Sequence, residues 1–232
     1  MSRIHLLPKT NMKKKTKIIL FSIIGGILTI SLMIAIPFIV MGVKTNNLNK
    51  DYGYLKQDAT YSQKVEVEGL ELVTQHVSCG YATIEMLSTF YGNKVTEDNL
   101  DSKNKGSVST SSTDGFLKEI NASINNRTFI KKTYLVNDEF LKELHSALAN
   151  NKPVAIEWAA KYQEEWTLHF SIVSALDLVN DLVEIYNPYG YIENIGVSEF
   201  INRTTFQAYN NIPLFLNFGF AFGAFHKNTL FY

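Results

Sequence analysis

The fold is decided by residues 75–92, which read QHVSCGYATIEMLSTFYG. From Cys79 onward, apolar side chains recur at the spacing of one helix face. They are Ala82, Met86 and Phe90. We therefore predict a helix that begins at Ser78 or Cys79 and ends at Tyr91, with the one cysteine of the chain in its first turn.

A thiol at a helix start is a candidate nucleophile. The first turn presents unpaired backbone N–H groups and a partial positive charge, which favour thiolate and predict a lowered pKa for Cys79. Gln75 lies four residues earlier, so its amide and the Cys79 N–H can hold an oxyanion. The plainer interpretations are a buried structural thiol for Cys79 and a surface amide for Gln75.

Two polar residues further along the chain complete a possible triad. His169 starts a predicted strand in LHFSIV, where it can act as general base. Asn187 ends the next strand in IYNPYG and can accept the His Nδ1–H. A short antiparallel connection should bring the two side chains together. The alternatives are a core histidine, a turn role for Asn187 before Pro188, and Asp177 as the residue that orients the imidazole.

The remaining patterns predict helices followed by strands, which is typical of an α+β fold. The predicted helices are 115–124, capped by Thr113 or Asp114; 137–149, capped by Asn137 or Asp138; and 198–202. The predicted strands are 64–68, 129–136, 154–158, 168–175 and 182–186. The segment after Pro213 is rich in Phe and Gly and has no clear assignment.

Residues 18–43, IILFSIIGGILTISLMIAIPFIVMGV, carry no charge and exceed the roughly 20 residues that cross a bilayer. The basic residues of 1–17 indicate a cytoplasmic tail and an extracytoplasmic remainder. We expect a stalk at 44–63 and a globular domain at 64–232. A cleaved signal peptide is the competing interpretation of the apolar segment.

Composition excludes several classes of protein. Hydrophobic content of 46% and aromatic content of 12% exclude a disordered chain. The first acidic residue is Asp51, and a basic tail before an acidic body argues against a nucleic-acid partner. One cysteine excludes an intrachain disulfide, and dispersed histidines give no metal site, so we expect no metal or cofactor.

Taken together, Q-x-x-x-C-G-x-A, L-H-F-S-I-V and N-P-Y-G resemble the C39-like branch of the papain-like cysteine peptidases over roughly residues 60–205. The resemblance implies a papain-like fold with Cys79 as nucleophile, His169 as base, Asn187 as orienting residue and Gln75 as oxyanion donor. It also implies that residues 106–120, GSVSTSSTDGFLKEI, form a polar loop and helix near the cleft. Asn187 stands where the exporter peptidases of this branch usually have Asp.

The function that follows is a membrane-anchored, extracytoplasmic cysteine peptidase acting on a peptide or protein. Three alternatives stay open: an acyltransferase or cell-wall amidase that uses the same triad, a non-catalytic binding or immunity module on a peptidase-like fold, and a small membrane scaffold.

Overall fold

A computed structural model describes residues 14–232 of the chain. It divides into two compact units, one ending at Val40 and one spanning Met41–Tyr232. Helix α1 runs over Lys14–Asn46, and its residues 16–46 are long and apolar enough to cross a membrane. The predicted tail at 1–17 lies largely outside the described residues.

The second unit is an α+β fold, as predicted. After a 3-10 helix at Gly53–Gln57, the helices are α2 Cys79–Phe90, α3 Glu97–Lys103, α4 Thr113–Ser123, α5 Asn137–Ala149, α6 Val197–Thr204 and α7 Leu214–Ala221. The strands are β1 Val65–Glu66, β2 Lys131–Lys132, β3 Val154–Tyr162, β4 Glu165–Asp177, β5 Leu182–Asn187, β6 Tyr191–Ile195 and β7 Thr229–Phe231. The sheet is antiparallel in the order β2-β7-β3-β4-β5-β6, with β1 paired to β4.

The sheet separates two hydrophobic layers because successive strand residues face opposite sides. Helices α5 and α6 pack on the face that carries Trp158 and Val173. Helices α2 and α4 pack on the face that carries Phe170 and Ile172. Both layers meet on β4, which is therefore buried on its two faces.

The predicted helix starts were correct to within two residues, but their caps were partly wrong. The Ser78 side chain caps α2, for which no cap was predicted, and Ser112 caps α4 in place of the predicted Thr113 or Asp114. Thr113 is instead the first residue of α4, and its hydroxyl lies 3.0 Å from both Glu157 Oε2 and the Ala224 carbonyl oxygen. At α5 the cap residue is Val136, which makes no side-chain bond.

Four segments differ clearly from the prediction. The strand expected at 129–136 shrinks to Lys131–Lys132, because Tyr134 takes a left-handed backbone conformation with φ of 54°. Helix α3 and strand β6 were not predicted. In the segment expected to be a stalk, Leu48 and Leu55 are buried, so part of 44–63 packs with the second unit.

The unassigned C-terminal segment contributes an internal strand to the sheet. Strand β7 lies between β2 and β3, and fully buried Phe231 packs its ring against Phe116 at 4.8 Å and Phe170 at 6.1 Å between centroids. The last residues of the chain are therefore part of the core that supports α4 and β4.

Phe231→Ala should lower the free energy of unfolding by about 3–5 kcal/mol, because it opens a cavity between β3, β4 and α4. Denaturant unfolding followed by tryptophan fluorescence measures the change. Val179→Ala is the matched control, since Val179 is 53% exposed, and its change should stay within about 0.5 kcal/mol. Equal effects of the two substitutions would contradict the conclusion that β7 is part of the core that supports α4 and β4.

Candidate active site

Strands β4 and β5 bring His169 and Asn187 together, as the sequence predicted. His169 is 1% exposed, Asn187 is fully buried, and His169 Nε2 lies 2.9 Å from Asn187 Oδ1. The register of β4 and β5 places Ile172 opposite Tyr186, so the next residue of β5 falls on the same face as His169. The pair follows directly from strand pairing.

The hydrogen-bond network identifies the bonded ring nitrogen as the donor. The Tyr189 N–H donates to Asn187 Oδ1 at 3.0 Å, so this atom is an acceptor and His169 Nε2 carries the proton. The expectation that Asn187 would pair with Nδ1 was therefore wrong. Nδ1 of His169 keeps its lone pair and is the nitrogen that can accept a proton.

An aromatic ring and an ion pair enclose the His169–Asn187 pair. Tyr189 stacks on the His169 ring with centroids 4.1 Å apart, and its hydroxyl bonds Thr167 at 2.9 Å. Asn187 Nδ2 donates to Glu193 Oε2 at 3.3 Å, and Glu193 in turn pairs with buried Arg203. These contacts hold the amide and the imidazole in one orientation and exclude water.

Cys79 lies in the first turn of α2, with its sulfur against the backbone of β4. The Phe170 N–H is among the groups that stabilise its thiolate, so the thiol lies beside the residue that follows His169. Within residues 14–232, no hydrogen bond joins Cys79 Sγ to the His169 ring. The structure thus places the thiol against the β4 backbone one residue after His169, without a direct bond between Cys79 and the imidazole.

Gln75 is tied to the same turn as Asn187. Its backbone N–H donates to the Pro188 carbonyl at 2.8 Å, and Gly190, with φ of 97°, allows the turn to approach Thr74. The Gln75 Oε1 atom is buried without a hydrogen-bond partner in the described residues. A shallow cleft lined by Thr74, Gln75, Tyr162, Pro188 and Tyr189 opens beside this segment.

Burial reverses the expected electrostatics of the thiol. Desolvation raises the pKa of half-buried Cys79 to about 11, although the backbone N–H groups of Phe170, Gly80 and Cys79 itself act to lower it. The predicted lowering was therefore wrong. The helix start does contribute, but removal of the thiolate from water is the larger effect.

Burial also lowers the pKa of His169, to about 3. The hydrogen bond to Asn187 raises this pKa, but its effect is smaller than that of burial. The positive charge of Arg203 lowers it further. At pH 7 the site therefore holds a thiol and a neutral imidazole rather than an ion pair.

The polar loop before α4 packs on the start of α2. A side chain at Gly80 would meet Thr110 Oγ1 at 2.2 Å, and the Tyr81 hydroxyl donates to the Ser107 carbonyl at 2.8 Å. Gly80 is thus required for close approach of this loop to the thiol-bearing turn. The loop expected near the cleft therefore lies beside the first turn of α2.

Sequence reasoning missed Glu97, which holds the segment before Cys79. Its fully buried carboxylate accepts the backbone N–H groups of His76, Val77 and Ser78, at 3.2, 2.8 and 3.1 Å. Three charge-assisted bonds fix the chain between Gln75 and Cys79. A signal was present in T-E-D-N, an acidic helix start, but nothing local connects it to a loop some twenty residues earlier.

Glu97→Gln should destabilise the protein by about 1–3 kcal/mol, because an amide NH2 would face backbone donors. It should also change the rate at which Cys79 is alkylated, since the turn that carries the thiol loses its anchor. Denaturant unfolding and iodoacetamide kinetics measure the two effects. Asp98→Asn is the matched control, because Asp98 is exposed and pairs with the exposed His76 side chain; a similar loss in both variants would contradict a specific role for Glu97.

The chain is similar to several known proteins. The chain resembles a solved double glycine motif protease from an AMS/PCAT transporter in complex with the leader peptide, at 14% identity and a TM-score of 0.44, over 73% of this chain and 96% of that one. It resembles the peptidase domain of Streptococcus ComA, a bi-functional ABC transporter involved in quorum sensing, at 14% identity and a TM-score of 0.44, over 71% and 97%. No curated protein sequence matches it. The model of the Peptidase_C39 like family matches residues 50–213, more than half of the chain, and the chain therefore belongs to that family.

Proposed function

We propose that this protein is a cysteine peptidase that cleaves a peptide amide through Cys79, His169 and Asn187, with Gln75 as oxyanion donor. The observation that carries the proposal is the buried His169–Asn187 hydrogen bond, together with the Cys79 thiol against the backbone N–H of the next β4 residue, Phe170. Peptidases of unrelated folds use such a pair to hold an imidazole in the tautomer that accepts a proton.

The proposed reaction starts from the neutral pair. His169 Nδ1 takes the thiol proton as Cys79 Sγ attacks the amide carbonyl, and the Gln75 amide with the Cys79 N–H stabilises the oxyanion. The imidazolium then protonates the leaving amine, which leaves a thioester on Cys79. Water, deprotonated by His169, hydrolyses the thioester and restores the thiol.

We further propose that α1 anchors the domain to a membrane, with the N-terminus in the cytoplasm and the candidate site outside. The support is the uncharged sequence 18–43 and the basic cluster that precedes it. A signal sequence would have the same composition, and protease protection of a tag at each terminus in sealed vesicles separates the two.

A second function is favoured by one observation. Burial holds the pKa of Cys79 near 11 and that of His169 near 3, which suits a non-catalytic peptide-binding module on a peptidase fold. Such a module would keep its peptide affinity after Cys79→Ala and would release no product from any peptide.

The peptidase should cleave members of a defined mixture of tryptic peptides, with products identified by mass spectrometry. Cys79→Ala should abolish cleavage and labelling by the epoxide E-64. Asn187→Ala should reduce the cleavage rate by about 100-fold, because the imidazole loses its orienting acceptor. Asn194→Ala, an exposed amide on β6, is the matched control; cleavage that survives Cys79→Ala would refute the proposal.

The pH dependence of alkylation tests the neutral state of the site. The rate with iodoacetamide should rise about tenfold per pH unit from pH 7 and level off only near pH 11, because thiolate is the reactive form. The same protein in denaturant should level off near the ordinary thiol pKa of 9.0. A folded-state plateau already reached at pH 7 would instead demonstrate a thiolate–imidazolium pair.

A further inference from the structure

The C-terminal part of the second unit carries a long uncharged segment. Residues 204–226 contain no Asp, Glu, Lys or Arg, and they include α7. One side of α7 is buried through Leu216 and Phe220, which pack in a cluster with Phe206 and Tyr209. This cluster attaches α7 firmly to the domain.

The other side of α7 faces outward with large apolar side chains. Leu214, Phe215 and Phe222 are 68%, 67% and 70% exposed. Phe215 and Phe222 are seven residues apart, which places them on the same side of the helix. We call these three residues the α7 apolar face. Large apolar side chains grouped and exposed in this way are a candidate interaction site.

The same cluster contains the residue at which the second unit begins. Met41 packs with it, and the Tyr134 hydroxyl bonds the Met41 sulfur at 3.6 Å. Met41 is covalently joined to Val40, within the uncharged sequence that we propose as the span. The proposed span is therefore joined by the chain to the cluster that packs against α7.

The chemistry of the face suits a lipid surface. Aromatic and leucine side chains without charge partition into the boundary between headgroups and acyl chains. Lys44 lies just beyond Met41, with its ammonium 5.1 Å from the Tyr134 ring centroid, where a basic group can approach lipid phosphates.

We infer that the α7 apolar face inserts into the bilayer surface next to the point where the anchor joins the domain. This inference rests on the membrane anchor of the proposed function, and not on peptidase activity. The cluster also includes Trp166 and Leu168 of β4, so the docked domain would hold the candidate site close to the bilayer.

The test uses the full chain in phosphatidylcholine–phosphatidylglycerol vesicles. The environment-sensitive fluorophore NBD is attached at Phe222→Cys in a Cys79→Ser background, and spin-labelled lipid is added as quencher. Val179→Cys is the matched control, because Val179 is also exposed and follows Asp177 at the far end of β4 from Trp166. Quenching at position 222 should exceed that at 179 by about threefold.

Each other result overturns the inference. If the protein binds vesicles but quenching is equal at the two positions, the anchor is supported and α7 does not insert into the bilayer. A blue-shifted but unquenched probe at 222 indicates that protein, such as a second copy, covers the face. If the chain does not float with vesicles, the proposed membrane anchor is refuted as well. Peptide cleavage in detergent tests the proposed peptidase activity separately.

Discussion

The backbone hydrogen bonds of β4 hold the rest of the molecule in place. This strand pairs with β3, β5 and β1 and is covered by helices on both faces. Its residue 169 faces β5 and Asn187, while the N–H of the next residue meets the thiol at the start of α2. A slip of one residue would turn His169 to the opposite face and away from Asn187.

Burial is the second constraint, and it acts on the site as well as on the core. The packing that orders His169 under Tyr189 removes water from the imidazole, and desolvation also acts on the half-buried thiol at the start of α2. Both groups are consequently neutral at pH 7 by their pKa values. A neutral imidazole is the form that can act as general base. In the proposed reaction the thiolate therefore forms only as Cys79 attacks the substrate.

The sequence predicted the helix at Cys79, the strands around His169 and Asn187, and their proximity, because local periodicity and turn residues determine these features. It did not predict the raised pKa of Cys79, since burial depends on distant residues that only the folded chain brings together. Glu97 was missed for the same reason. The position of β7 between β2 and β3 was equally hidden, because no local pattern encodes strand order.

The central claim is that Cys79 forms a covalent thioester during the reaction. The most direct measurement is intact-protein mass spectrometry of the full chain after acid quenching with a peptide ester, followed by mapping of the modified residue. The account predicts one acyl adduct on Cys79 that decays with water and is absent from Cys79→Ala. An acyl group on another residue, or product release from Cys79→Ala at the rate of the unmodified protein, would contradict it.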